Sequence, residues 1–217
     1  MTAEFRTRLL AKPLKITLTV LATAVAAISF RYLAGVGPVP PSIATNVLRR
    51  PWLLVHVASA STALLIGSIQ FSGVIRSRWL ETHRGIGRLY VLSCLFGGIS
   101  GIVLAFGSSS GPIATAGFGL LGVAWISVTA QGLRYALLRR FDDHRAWMIR
   151  SWALTLSAVT LRVYVPIATL IGLPFFESYR VISFLSWVPN LLLAELYLRE
   201  FSLSARPVGK GAQDTHG

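Results

Sequence analysis

Charge is scarce in this chain. Of its 217 residues only 13% are charged, and just 8 are acidic, whereas a soluble domain carries about 25% charged residues. With 53% hydrophobic residues and a mean hydropathy of +0.62, the chain lacks the polar surface to cover a fold in water. Cysteine is nearly absent too. The single Cys94 excludes an internal disulfide and a thiolate metal cluster, and in its apolar run it reads as a small packing residue. Catalytic signatures are missing: there is no HExxH, GxSxG, GxxxxGK[ST] or CxxC. Asp142-Asp143 lies too close to a membrane interface to act as an acid/base pair. No catalytic residue and no metal site is assigned.

What the chain does have is length in its apolar runs. Six of them exceed or approach the roughly 18 residues that mark a membrane span: about 14–34, 52–75, 86–106, 113–138, 146–172 and 181–198. Breakers punctuate them at Gly37-Pro38-Val39-Pro40-Pro41, Gly107-Ser108-Ser109-Ser110-Gly111-Pro112 and Gly172-Leu173-Pro174. An open strand would leave backbone groups unpaired in lipid. The expected fold class is therefore all-α, a polytopic transmembrane bundle of about six helices. Residues 1–13 form an N-terminal segment, 14–200 the membrane domain and 201–217 a polar, disordered tail.

Lys and Arg set the expected orientation. One side carries Arg6, Arg8, Lys12, Lys15, Arg76, Arg78, Arg84, Arg88, Arg134, Arg139, Arg140, Arg145, Arg150, Arg199, Arg206 and Lys210; the other carries only Arg31, Arg49, Arg50 and Arg180. The rich side reads as cytoplasmic, with both termini there, in a bacterial inner membrane. Because the +13 net charge is spread over short clusters between apolar runs, the partner it implies is anionic lipid headgroup and not nucleic acid. Ala24-Val25-Ala26 resembles a signal-peptidase site, but the apolar run continues past it, so the first helix is read as uncleaved.

Sliding the chain by 61 positions places Gln70, Arg78, Glu81, His83 and Arg84 on Gln131, Arg139, Asp142, His144 and Arg145. Spans two and three would then repeat as spans four and five in the same orientation, as in parallel repeats related by an axis along the bilayer normal. His83 and His144 would sit at equal depth at the arginine-rich boundary. Two such histidines suit the axial positions of one haem b, with Arg84, Arg88, Arg145 and Arg150 facing its propionates. Beside that stands a plainer reading, in which both histidines cap helix starts and bond interfacial groups. His56 has no histidine partner on the fourth span, so one bis-histidine haem is the upper limit.

Polar residues inside spans form a second group. An arginine within a span costs roughly 2.5–3.5 kcal/mol on insertion scales and usually faces a bundle interior or cavity. Arg162 shares a helix face with Ser151 and Thr155, and His56 lies at similar depth on span two. His56 and Arg162, with Gln70 and Gln131, are the candidates for a polar pocket toward the arginine-poor side. Snorkelling of Arg162 to headgroups, and bonding of the two glutamines across helices, are the alternatives. Gly97 and Gly101, after Ser93, form a ridge for close helix packing or for a homo-oligomer. Trp52, Trp79, Trp147, Tyr90 and Tyr179 are expected at the interfaces. Asn190 and Glu195 have no evident partner.

Thr82-His83-Arg84-Gly85-Ile86-Gly87-Arg88-Leu89-Tyr90, the stretch from His144 to Thr155, and His56 with Gly67-Ser68-Ile69-Gln70-Phe71 resemble an uncharacterised bacterial family of predicted membrane proteins, domain of unknown function 2306. The resemblance covers roughly residues 51–166 and implies a multi-span membrane protein without assigning a catalytic role. Three functions are carried forward: a non-enzymatic membrane protein that binds lipid or a small molecule or supports a partner; a haem b electron-transfer subunit; and a small transporter.

Overall fold

The computed structural model describes residues 3–70 and 73–204, and within them the side chains of 13–70 and 75–200. The described residues form ten helices and no strand: α1 Ala3–Phe30, α2 Pro41–Ala44, α3 Arg49–Gln70, α4 Gly73–Arg78, α5 Leu80–Phe106, α6 Pro112–Leu137, α7 Phe141–Thr155, α8 Ser157–Leu170, α9 Phe175–Leu185 and α10 Val188–Ser204. Six stretches are long and apolar enough to span a membrane: Pro13–Phe30, Arg49–Gln70, Leu80–Phe106, Pro112–Leu137, Phe141–Leu170 and Phe175–Glu200. The fold is an all-α polytopic bundle. The expected disordered tail falls almost wholly outside the described residues.

Boundaries moved where side chains close the helix ends. The first span stops at Phe30 because Arg31 turns back to donate to the Val36 carbonyl at 3.1 Å and the Pro38 carbonyl at 2.8 Å. The third and fifth spans begin earlier than their apolar runs suggest, at Leu80 and Phe141, which puts both His-Arg elements inside helical first turns. Those starts are 61 residues apart, the offset of the repeat. The backbone repeats with them: His83 N bonds the Trp79 carbonyl and His144 N the Arg140 carbonyl, each at 2.9 Å.

Spans five and six are each broken once. In span five, α7 gives way to α8 at Leu156. In span six, Pro189 has no N–H to give, and α9 ends at Leu185 before α10 begins at Val188. The Ser186 carbonyl at that break accepts from Thr160 Oγ1 at 2.5 Å and from Asn190 Nδ2 at 3.1 Å. Asn190 Nδ2 also reaches the Ala153 carbonyl at 3.3 Å and Thr160 Oγ1 at 3.1 Å. The two broken spans are thus pinned to each other through polar groups the breaks release.

Small residues bring the central helices together. A Cβ on Gly122 would lie 3.0 Å from the Gly98 carbonyl and 2.6 Å from Ile102, and one on Gly98 would lie 2.5 Å from Ile126. A Cβ on Gly67 would collide with the Trp152 ring. Tyr90, Cys94, Ala63, Trp125 and Leu154 form the buried centre. Tyr90 is 2% exposed, and not an interface anchor as expected. Its helix starts six residues sooner than the apolar run, which carries Tyr90 nearly three turns inward. Its hydroxyl meets Ser151 Oγ at 2.9 Å and Thr155 Oγ1 at 2.8 Å; Thr129 Oγ1 lies 2.7 Å from Ser151 Oγ, and Trp125 Nε1 donates to Thr155 Oγ1 at 3.0 Å. Outside this centre, α1 rests on α3 and α8 through Ala22, Ala26, Leu64 and Val159.

Glu195 finds its partner in Arg150, whose Nε and Nη2 donate to its two carboxylate oxygens at 2.5 and 2.9 Å. Tyr90→Phe should destabilise the protein by about 0.5–1.5 kcal/mol through loss of its hydroxyl's bonds, since Ser151 and Thr155 keep Thr129 and Trp125 as partners, and Glu195→Gln by about 1–3 kcal/mol through loss of the bidentate pair. Thermal unfolding in detergent checks both. A variant as stable as the native protein removes that contact from the account.

Candidate functional site

Between spans two to six, toward the arginine-poor end, the bundle encloses a cavity of about 210 Å³. Its walls come from all five spans and from α2. Apolar residues dominate: Leu53, Val57, Leu104, Phe118, Leu121 and Trp125. Polar groups enter at defined places, from His56 on α3, Arg162 on α8, Thr155 at the end of α7, and Asn46, Ser42 and Tyr179 near the outer rim.

His56 is fixed by its neighbours. Nδ1 lies 2.9 Å from the Gly97 carbonyl; a carbonyl only accepts, so Nδ1 carries the hydrogen and Nε2 of the neutral ring is an acceptor. A Cβ on Gly101 would stand 3.2 Å from Cε1 and 3.3 Å from Nδ1 of the ring. The Gly97/Gly101 ridge therefore packs on Trp125 and His56 inside the protomer. Arg162 donates to the Ala158 carbonyl at 2.9 Å and across to Ser29 Oγ on α1 at 2.8 Å. A second cavity of about 40 Å³ adjoins the first, and His56 and Arg162 line both. Thr155 and Arg162 share the cavity wall, as their spacing on one face predicts, while Ser151 is buried one turn below in the hydroxyl cluster.

Gln70 and Gln131 do not belong to this pocket. Gln70 lies fourteen residues beyond His56, about 21 Å along the helix at 1.5 Å per residue, and its Nε2 donates to the His83 carbonyl at 3.1 Å. The sequence shows that both glutamines are intramembrane polar groups, but depth separates them from the cavity. Residues that sequence reasoning missed are Asn46, whose Nδ2 donates to the Leu104 carbonyl at 2.7 Å, and Trp125 and Tyr179. Tyr179, read as an interface anchor, stacks on Phe175 at a centroid distance of 5.3 Å and faces Phe118 at 5.2 Å. Only Asn46, a polar residue beside the breaker cluster, left a signal.

The arginine-rich end holds the other candidates. His83 interacts electrostatically with His144 and Arg76. His144 Nδ1 lies 2.8 Å from the Gly132 carbonyl, which leaves its Nε2 as the acceptor, and His83 Nδ1 is buried without a partner among the described residues. No third His, Cys, Asp or Glu joins them among those residues. Of the arginines assigned to propionates, Arg84 pairs with Glu81 at 2.7 Å and Arg150 with Glu195. Arg145 has an interaction of its own, and Arg88 is exposed.

A family model described as predicted membrane protein (DUF2306) matches residues 53–198. The chain belongs to this family. No significant match was found among curated proteins or among solved structures. The family segment contains His56, Trp125, Thr155, Arg162 and Tyr179 of the cavity, whereas Tyr32, Ser42 and Asn46 at its rim precede it.

Gly101→Leu should fill the space against His56 and occlude the cavity. Xenon binding, read by ¹²⁹Xe NMR on the protein in detergent, should fall at least tenfold while helicity is retained. Unchanged xenon binding would show that the cavity lies elsewhere.

Proposed function

We propose that this is a non-enzymatic, multi-pass protein of the bacterial inner membrane, with both termini in the cytoplasm, that holds a small molecule in the cavity beside His56 and Arg162. The carrying observation is that one cavity receives both residues, the two intramembrane polar side chains singled out for an outer-leaflet pocket. Mostly apolar walls with a few fixed polar groups are what small-molecule sites have in common. The arginine-poor face is then periplasmic, and the cavity lies in the outer leaflet. Below the cavity the Tyr90 cluster seals the bundle with packed hydroxyls, so the geometry favours holding a ligand over passing it through. A transporter of the same ligand would have to part that cluster in its cycle.

Native mass spectrometry of protein extracted in mild detergent should show a bound small molecule that Gly101→Leu loses. Identical spectra for the two proteins would refute the reading. A reporter fused after Arg140 should be active only in the cytoplasm; a periplasmic signal would reverse the orientation and place the cavity in the inner leaflet.

A second reading keeps haem b between His83 and His144, and the observations that favour it are their electrostatic interaction and the backbone carbonyl that holds His144 Nδ1, as is common for ligating histidines. Against it, Glu195 and Glu81 occupy two of the arginines it needs. The visible spectrum after haem supplementation decides. No Soret band is expected, and a band abolished by His144→Ala would establish the redox reading.

A further inference from the structure

We infer that the molecule held in this cavity is a small amphipathic acid, a carboxylate or phosphate on a short apolar body, whose anion pairs with Arg162. The inference rests on the ligand-binding reading above and adds the chemical class.

Arg162 is a cation inside a span, an exposed residue at the cavity wall, and among the described residues it has no counter-ion. The ion pairs of the described residues are Arg84–Glu81, Arg140–Asp143 and Arg150–Glu195, and none involves it. A guanidinium has five N–H donors; Arg162 gives to one backbone carbonyl and one serine hydroxyl, both uncharged. The contrast with Arg150 is direct, since that arginine at the other end is matched by a bidentate carboxylate. Ionisable residues within spans pair with one another or with backbone carbonyls and mark substrate or ion pathways. The surrounding field has the same sign: Arg31 interacts electrostatically with Arg162, and Arg180, next to the cavity residue Tyr179, donates its Nε to the Ser110 carbonyl. Among described residues, the one acid at this end is Glu177, which is exposed at the start of α9. An anion entering the cavity therefore meets an excess of positive charge and a guanidinium, the group that pairs with a planar carboxylate or a phosphate.

Size fixes the rest. A cavity of about 210 Å³ has room for a short alkyl or aryl group against Val57, Leu121 and Trp125. The repeat shows where the room comes from. Under the 61-residue offset, Arg162 corresponds to Gly101 and His56 to Gly117. These two polar side chains of the cavity are glycines in the other half, so the halves diverge at these positions.

The test uses native protein in zwitterionic nanodiscs, titrated with octanoate, octyl phosphate and the neutral, chain-matched octan-1-ol. One of the two anions should bind about tenfold or more tightly than octan-1-ol, as a charge-assisted bond implies. Arg162→Gln should erase that difference while keeping octan-1-ol affinity, which also shows that the variant is folded; Arg162→Lys should retain part of it. The better anion identifies the headgroup as carboxylate or phosphate. Saturable binding of octan-1-ol and both anions with equal affinity would overturn the acid and leave the cavity reading intact. An anion preference that survives Arg162→Gln would also overturn the pairing. No saturable binding of any probe would overturn both readings.

Discussion

In a bilayer the lipid outside a helix is as apolar as the leucines on it, so helices associate through close packing and hydrogen bonds and not through hydrophobic transfer. Both sources act at the centre of this bundle. Gly98 and Gly122 let α5 and α6 approach until a Cβ on either would meet the other's backbone carbonyl, and Gly67 admits the Trp152 ring. The hydrogen bonds act between α5 and α7, where the Tyr90 hydroxyl lies within bonding distance of Ser151 and Thr155. The cavity lies directly above this seal. Trp125 and Thr155 are at once part of the hydroxyl cluster and residues of the cavity wall.

The repeat acquires a geometric meaning from the same contacts. Tyr90 and Ser151 are 61 residues apart and touch; His83 and His144 are 61 apart and interact. The hydroxyl bond of Tyr90 to Ser151 shows that α5 and α7 meet at one pair of equivalent positions. The halves differ in what they bury. Toward the arginine-rich end the counterparts are histidine and histidine; toward the other they are Arg162 with Gly101 and His56 with Gly117.

Much of this layout was legible in the chain, for physical reasons. Six apolar runs and a one-sided distribution of arginine are consequences of the bilayer, and each is a local property of sequence. The depth and spacing of His56 and Arg162 put them at one level before any contact was known. Helix starts were less legible: α5 and α7 begin with polar, charged turns that hydropathy assigns to loops, and that error moved Tyr90 from the core to an interface. The partners of Asn190 and Glu195 were illegible, because Asn190 answers a break at Ser186 and Glu195 answers an arginine 45 residues away. Gln70 and Gln131 were grouped with the pocket by polarity alone, and polarity without depth does not define a site.

Two arginines in the fifth span show why depth and partner decide function more than residue type. Arg150 lies near the arginine-rich end, 22% exposed in its side chain, stacked over Trp147 and held by both oxygens of Glu195. Its charge is cancelled within the fold, and its guanidinium is occupied. Arg162 lies twelve residues on, about 18 Å farther along the span at 1.5 Å per residue, and no acid of the described residues reaches it. Packing alone would be served at that position by an apolar residue, since replacing a charge by a hydrophobic group of similar volume is often neutral or stabilising. Ser29 and the Ala158 carbonyl hold the side chain at the cavity wall, but neither needs a cation to be satisfied: Ser29 already donates to the Val25 carbonyl at 2.6 Å. The charge on Arg162 is therefore not cancelled among the described residues, and the cavity it lines is where an anion would have room to sit.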